Sequence, residues 1–337
     1  MKVVVDIFGA DRGPEEIIKG VLSALDQNSE LTIVLVGDEE LILSELAKNK
    51  ADKSRIEVVH APEIVTNNEA PTVAIKMKKN SSLVKALEIT KTDEEVVGLV
   101  SAGSTGAVLA GGIFKVGRIK GVLRPALCPF LPTVTGGRVC IVDCGANMDC
   151  KPEYLVQFAI MGSEYMKTVL GVENPRVALV SVGVEDKKGN ELTHEVFAKL
   201  KEIPTINFVG NMEARDALSG DYDVLVCDGF VGNVLTKTVE GTAKMVTSML
   251  KKEIKASKSA MIGAVFMKKA LGNLKGSMNY QAFGGAAFLG IEKVLVKSHG
   301  SSNALAITAS INTVIRTSKC DLVKNIQSAI TAQKATE

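Results

Sequence analysis

The side chains best suited to chemistry in this 337-residue chain lie in short loops of Gly, Ser, Thr, Asn and Asp, each directly after an apolar run. Residues 96–100 lead into Ser101-Ala102-Gly103-Ser104-Thr105-Gly106, and residues 139–142 into Asp143-Cys144-Gly145-Ala146-Asn147. Residues 224–227 lead into Asp228-Gly229-Phe230-Val231-Gly232-Asn233, and residues 294–296 reach Ser298-His299-Gly300-Ser301-Ser302-Asn303. The runs at 177–181 and 31–36 end likewise, in Val182-Gly183-Val184-Glu185 and Gly37-Asp38. Such loops offer backbone N–H groups and hydroxyls, with few carboxylates, and that chemistry suits an anion. The 101–106 loop has the character of a phosphate cradle: glycine admits close approach, hydroxyls donate, and a helix starting near residue 105 directs its positive end at the ligand. Gly106 and Gly111 have Walker A spacing, but Gly112-Ile113 stands where Lys-Ser/Thr belongs. A dinucleotide fingerprint is absent too. A plain strand–helix turn remains the alternative.

Ser101, Gly103, Ser104, Thr105, Gly106 and Asn147 are therefore candidate phosphate or substrate contacts. Lys188, Asn233 and His299 are candidate catalytic groups. His299 can donate to an anion or protonate a leaving group, or else be a bystander beside a helix capped by Ser301 or Ser302. Lys188, within Lys188-Gly189-Asn190, either places a cation in a cleft or sits on an exposed turn. Asp143 and Asp228 end buried strands and suit loop-ordering caps better than contact with substrate. His60 and His194 read as surface residues.

Continuous Val/Ile/Leu runs mark strands buried on both faces, as in parallel sheets. Ligands in such sheets bind at the carboxyl ends of the strands, so the loops should gather along one edge. The pattern predicts strands at 2–6, 31–36 and 56–60, with helices from Pro14 to about Leu25 and over 39–48. It also predicts a basic helix over 72–90 and helices over 152–170 and 190–201. Residues 126–131 and 138–142, separated by Pro132 and Gly136-Gly137, signal an antiparallel pair within the otherwise parallel sheet. No repeat or low-complexity tract is visible.

Composition narrows the function classes. The chain is 46% hydrophobic and 4% aromatic, with a net charge of +2, which argues against a nucleic-acid binder. Six cysteines without a C-x-x-C pair, and only three histidines, argue for buried reduced thiols over a zinc site. The chain opens on a strand, so no secretory leader is expected, and no run reaches the ~18 apolar residues that a bilayer span needs. Residues 243–278 are different. Eight lysines face one acid, Glu253, giving +7 locally and −5 for everything else. Apolar residues sit at helical spacing among the lysines, and five of the eleven methionines lie here. Such a basic amphipathic stretch suits an anionic membrane or an acidic partner. Lys251, Lys252, Met261, Ile262, Val265 and Phe266 are its candidate contacts, and Gly263, Gly272 and Gly276 its candidate helix breaks. A helical hairpin packed on its own protein is the alternative.

Together the loops are far more specific than any one alone. SAGSTGAVLAGG (101–112), VDCGANMDCKPEYLVQFAIMG (142–162), KGNELT (188–193), NFVGNMEARD (207–216), VCDGFVGNVLTKTVEG (226–241), FGGAAFLG (283–290) and HGSSNA (299–304) occur in this order. The chain thereby resembles the bacterial phosphate acyltransferase family PlsX. It departs from the usual pattern at Ala10, Arg12 and Val184, and with Phe283-Gly-Gly-Ala-Ala287 for Tyr-Gly-Gly-Ala-Pro. The resemblance implies transfer of a long acyl chain from acyl carrier protein to inorganic phosphate. The acyl phosphate product would pass to a membrane glycerol-phosphate acyltransferase in phospholipid synthesis. It further implies a homodimer on the cytoplasmic membrane surface that uses no cofactor or metal. The implied fold is a mostly parallel, Rossmann-like α/β sheet sandwiched by helices, like isocitrate/isopropylmalate dehydrogenase and phosphotransacetylase. One catalytic domain of two lobes, 1–337, would carry 243–278 as a protrusion. Three alternatives stand beside this reading. A phosphotransacetylase-like enzyme on a small acyl-CoA would not need the basic segment. A nicotinamide-dependent dehydrogenase would need a metal-binding Asp cluster, for which the sequence offers no candidate. A membrane scaffold would show no turnover.

Overall fold

The computed structural model describes residues 1–277 and 283–336. Strand and helix alternate from the start: β1 (Lys2–Asp6), α1 (Pro14–Gln27), β2 (Thr32–Gly37), α2 (Glu39–Lys48), β3 (Ile56–His60), α3 (Pro71–Met77), α4 (Ser82–Thr92), β4 (Val96–Ser101) and α5 (Thr105–Gly111). The middle holds β5 (Ala126–Cys128), β6 (Phe130–Pro132), β7 (Arg138–Val142), α6 (Pro152–Leu170), β8 (Arg176–Ser181), α7 (Glu191–Lys201), β9 (Asn207–Glu213) and β10 (Val224–Val226). Then come α8 (Gly229–Ala256), α9 (Lys258–Phe266), α10 (Lys268–Ser277), β11 (Ala286–Leu289), β12 (Val294–Lys297), α11 (Ala304–Ser318) and α12 (Leu322–Thr336).

Among the described residues these strands form two sheets, ordered β3-β2-β1-β4-β12-β11-β5 and β6-β7-β10-β8-β9. The first is parallel from β3 to β12, with β11 antiparallel to both of its neighbours. The second is parallel except for the β6–β7 pair. The expected antiparallel pair therefore exists, but the apolar run before it is divided between the sheets. Pro129 is the reason: it has no N–H to continue a ladder, so β5 pairs with β11 and β6 with β7. The fold is the expected mostly parallel α/β arrangement, built from two sheets instead of one.

Helices cover the sheets through apolar faces. The α6 helix is buried along most of its length, with Phe158 and Tyr165 inaccessible to solvent. Tyr165 stacks on Phe130 with ring centroids 5.2 Å apart. Burying a large apolar side chain contributes about 1.5–3 kcal/mol, so this helix is a principal anchor of the second sheet. The expected helix over 72–90 is two helices. Ser81 leaves the helical path and caps α4, its Oγ accepting from the Val84 N–H at 3.4 Å. Ser82 Oγ is meanwhile drawn to Asp6 at 2.7 Å.

In the 243–278 segment, α9 and α10 extend from the end of α8, and α9 has no buried residue. Helix breaks fall at Ser257 and Met267, not at the expected glycines. Ser257 competes for the backbone as a cap, accepting from the Ala260 N–H at 3.3 Å, whereas Gly in a helix costs only about 1 kcal/mol. Met278 lies outside the described residues. No described helix is long and apolar enough to cross a membrane.

Where β1 and β4 end, their loops touch. Gly9 has φ +91°, and a Cβ built there would lie 2.3 Å from the Gly103 Cα. Gly9→Ala is expected to destabilise the fold by about 1–3 kcal/mol, since it combines a left-handed backbone with a backbone clash. Urea unfolding measures this, and a midpoint equal to the parent's would show that the two loops do not constrain each other.

Candidate functional site

A cavity of about 440 Å³ lies between the carboxyl edges of the two sheets. Four of the six predicted loops contribute to it. Ala102–Thr105 follow β4, Ser298–Gly300 follow β12, Cys144 and Gly145 follow β7, and Asn233 lies in the second turn of α8, the helix that follows β10.

The first loop is held from beneath. Asp6 ends β1 and is buried, with Oδ1 accepting from Ser82 Oγ at 2.7 Å and Oδ2 from Ser101 Oγ at 2.8 Å. Ser101 Oγ in turn accepts the Gly103 N–H at 3.1 Å. Burial pushes the Asp6 carboxyl up, and the Ser82 and Ser101 hydroxyls partly offset this. The chain Asp6–Ser101–Gly103 thus fixes the turn that presents Ser104 and Thr105. Ser104 is the N-cap of α5 but makes no side-chain capping bond, so its hydroxyl is not committed to the helix. The first-turn N–H groups of such a helix have no intrahelical partner.

Asp143 does the same for the second sheet. Its Oδ1 accepts the Leu127 N–H at 2.8 Å, while Oδ2 accepts the Asn147 N–H at 2.6 Å and Asn147 Nδ2 at 3.0 Å. Burial raises its pKa to about 6 against those donors. Asp228 caps α8, its Oδ1 accepting the Val231 N–H at 2.8 Å. Both aspartates therefore order loops, as the sequence suggested. The packing is close: a Cβ at Gly232 would lie 2.0 Å from the Asp143 carbonyl oxygen. This brings the first turns of α8 against the 143–147 loop and aims one helical face, Asn233, Thr236, Lys237 and Glu240, into the cavity.

The polar end of the cavity holds a chain of charges. Lys237 Nζ is 2.9 Å from Glu240 Oε2 and 2.9 Å from His299 Nε2. Burial first, and the Lys237 charge second, push the His299 pKa down. The other ring nitrogen, Nδ1, is 2.8 Å from Ser301 Oγ. Lys297, the last residue of β12, also lines this end, its ammonium directed at the Ala102 carbonyl oxygen at 3.3 Å and at that of Ser298. The rest of the lining is largely apolar and includes Leu127, Pro129, Phe130, Leu131, Phe283 and Ala286. Cys144 lies in the wall with its thiol on Thr236 Oγ1 at 3.3 Å, and burial pushes it up to about 11. A thiol so far from ionisation is a poor nucleophile at neutral pH.

Of the residues singled out from sequence, Gly103, Ser104, Thr105, Asn233 and His299 line the cavity. Ser101 and Asn147 stand behind the lining and position it. Gly106 faces Pro71, the first residue of α3, where a Cβ would lie 2.7 Å from the ring. Lys188 does not join them. It is exposed on the loop after β8, its carbonyl accepting from Ser181 Oγ at 3.2 Å, and it is not part of the cavity lining. Strand β8 is separated from β7 by β10, so its carboxyl-end loop opens farther along the edge. Lys251, Lys252, Met261, Ile262, Val265 and Phe266 lie away from the cavity on α8 and α9, all with accessible side chains.

Sequence reasoning missed Lys237, Glu240 and Lys297. The first two could have been found by continuing the helical face three to four residues at a time from Asn233. A lysine closing an apolar strand was the signal for the third.

The cavity at the carboxyl edges of this α/β fold thus combines cationic, hydroxyl and apolar groups in its lining. In solved structures the fold recurs in a phosphotransacetylase from Streptococcus pyogenes, with a TM-score of 0.61 over 94% of both chains at 15% identity. It recurs also in a branched-chain phosphotransacylase from Enterococcus faecalis V583, with a TM-score of 0.59 over 95% of this chain and 100% of that one at 16% identity. The family profile described as fatty acid synthesis protein matches residues 1–324. The phosphate acyltransferase of Clostridium tetani is 46% identical over 97% of both chains, and that of Clostridioides difficile 43% identical over 98% of this chain and 96% of its own. The chain belongs to the PlsX family of phosphate acyltransferases, and it is an acyltransferase.

The geometry separates the candidate residues by expected effect. Ser104→Ala should lower acyl-transfer turnover by roughly 10²–10³, the loss typical of one missing oxyanion donor, and His299→Ala should lower it by releasing Lys237 from its contact with the ring, with the melting temperature unchanged in both. Lys188→Ala should leave turnover near that of the parent. Steady-state rates with calorimetry on the three variants check this; a loss confined to Lys188→Ala would move the site to the β8 loop.

Proposed function

We infer that the protein transfers a long acyl chain from the thioester of acyl carrier protein to inorganic phosphate, giving an acyl phosphate and the free carrier thiol. The observation that carries this reading is one cavity whose lining combines cationic and hydroxyl-bearing side chains with apolar ones. Phosphate at neutral pH is largely a dianion and needs positioning beside the carbonyl more than activation. Ser104, Thr105 and the start of α5 suit one side of that anion, with Asn233 and His299 facing it. The tetrahedral oxyanion requires donors already in place, and backbone N–H groups at the helix starts supply them. The apolar lining suits the first part of a fatty acyl chain. A small acyl-CoA would leave it empty, which favours the long-chain substrate over the phosphotransacetylase alternative.

The α8 helix supports the rest of the reading. Its first turns line the cavity, and the remaining residues from Glu240 to Ala256 run on for about 24 Å at 1.5 Å per residue. At its end α9 exposes Ile262, Val265 and Phe266, at 62%, 71% and 86% of their surface. Leaving such side chains in water forgoes about 1.5–3 kcal/mol each, and the lysines around them are attracted to anionic headgroups at about 1 kcal/mol each. In this reading a homodimer works at the cytoplasmic membrane surface and hands its insoluble product to a membrane glycerol-phosphate acyltransferase for phospholipid synthesis.

The test is incubation with palmitoyl-carrier protein and labelled phosphate, with and without anionic liposomes. Label should enter acyl phosphate as carrier thiol appears, in the presence of chelator, and the enzyme should sediment with the vesicles. A variant with Val265→Glu and Phe266→Glu should keep soluble turnover and lose sedimentation. Turnover on acetyl-CoA alone would favour the phosphotransacetylase reading, and liposome binding without any turnover would favour a scaffold.

A further inference from the structure

Lys297 is a titratable side chain at the cavity's polar end for which the reading above has no use. It stands between β4 and β11 in the sheet, opposite Ser101 and Ala286. Its aliphatic stem is thereby enclosed, and its ammonium emerges beside the cradle, 3.3 Å from the Ala102 carbonyl oxygen. Both protein acceptors it reaches are neutral carbonyls, those of Ala102 and Ser298. Neither of them neutralises it. Ammonium groups can make three hydrogen bonds, so an anion held by Gly103, Ser104 and Thr105 would complete the set. The charged groups facing it are Lys237 and Glu240 from α8, His299 from its own loop, and Asp11 from the loop after β1. Glu240 is already engaged by Lys237.

The reaction proposed above requires a proton carrier. A phosphate oxygen forms a bond to the thioester carbonyl carbon, the C–S bond breaks, and its electron pair leaves on sulfur. Monohydrogen phosphate enters with one proton that the acyl phosphate dianion does not keep, and the departing thiolate needs one. No net proton is gained or lost, but one must move from phosphate to sulfur.

We propose that Lys297 is a catalytic residue that binds the phosphate through its ammonium and carries this proton, donating to the departing sulfur and being recharged by the new acyl phosphate. This rests on the acyl-transfer reading. Burial, with the Lys237 charge adding to it and Asp11 opposing, lowers the Lys297 pKa to about 8. An acid in that range matches a thiol leaving group, whereas an ordinary lysine would hold its proton too tightly.

The experiment compares the parent, Lys297→Arg and Lys297→Met for phosphate KM, kcat and the pH profile of kcat with palmitoyl-carrier protein. In the parent, kcat should fall as pH rises through about 8, because the ammonium form is the donor. Lys297→Arg should keep the phosphate KM within a few-fold, lose about 10²-fold or more in kcat, and show no limb near pH 8. Lys297→Met should lose phosphate affinity as well. Melting temperatures and direct phosphate titration show whether each variant is folded and binds. A parent-like kcat with the limb intact in either variant would overturn the proposal. So would Lys297→Arg restoring full kcat, since charge alone would then suffice. Absence of acyl phosphate from the parent itself would instead overturn the acyl-transfer reading.

Discussion

Asp6 and Asp143 each stand at the carboxyl end of a strand, and each is buried with its oxygens occupied by donors from the loops above. Hydrogen bonds to a charged group contribute about 1.5–3 kcal/mol each, and a buried donor left without its partner costs about 1–3 kcal/mol. Loops tied this way cannot drift without breaking several such bonds at once. Asp6 sets the 101–106 turn in the first sheet, and Asp143 sets the 143–147 turn in the second. The cavity exists because both turns are fixed and face each other across Pro129, where the chain passes from one sheet to the other.

The same constraint explains the division of labour within the site. Carboxylates sit underneath, so the surface offered to a ligand is hydroxyl, amide and amine. The one acid among the described lining residues, Glu240, is held by Lys237. Cys144 is kept protonated by burial, which makes it a poor nucleophile at neutral pH. The α8 helix then runs from this site to the break at Ser257, beyond which α9 exposes its apolar side chains.

Much of this was legible in the sequence, for identifiable reasons. Helices α2 and α6 and strand β3 fall on their expected bounds, because periodicity and caps agree there: Asp38 caps α2, and Pro152 opens α6. Capping roles for Asp143 and Asp228 followed from their place after apolar runs. Long-range pairing was not legible. Residues 126–131 form one apolar run, and only the partners β11 and β7 reveal that Pro129 divides it. Lys297 was hidden because a lysine at a strand end reads as solvated until its neighbours enclose it, and Lys237 because a half-exposed helical lysine gives no sign in the sequence of the groups it will face. Lys188 also follows a strand and precedes a glycine, but β10 separates its strand from β7, and it stands outside the cavity lining.

The central claim is that the loops held by Asp6 and Asp143 form one phosphate site. A crystal structure of the protein soaked with inorganic phosphate tests it most directly. The account places the phosphorus in the cavity, within hydrogen-bond reach of Ser104 or Thr105 and of the Lys297 ammonium. Phosphate bound instead at the Lys188 loop, with the cavity unoccupied, would contradict it.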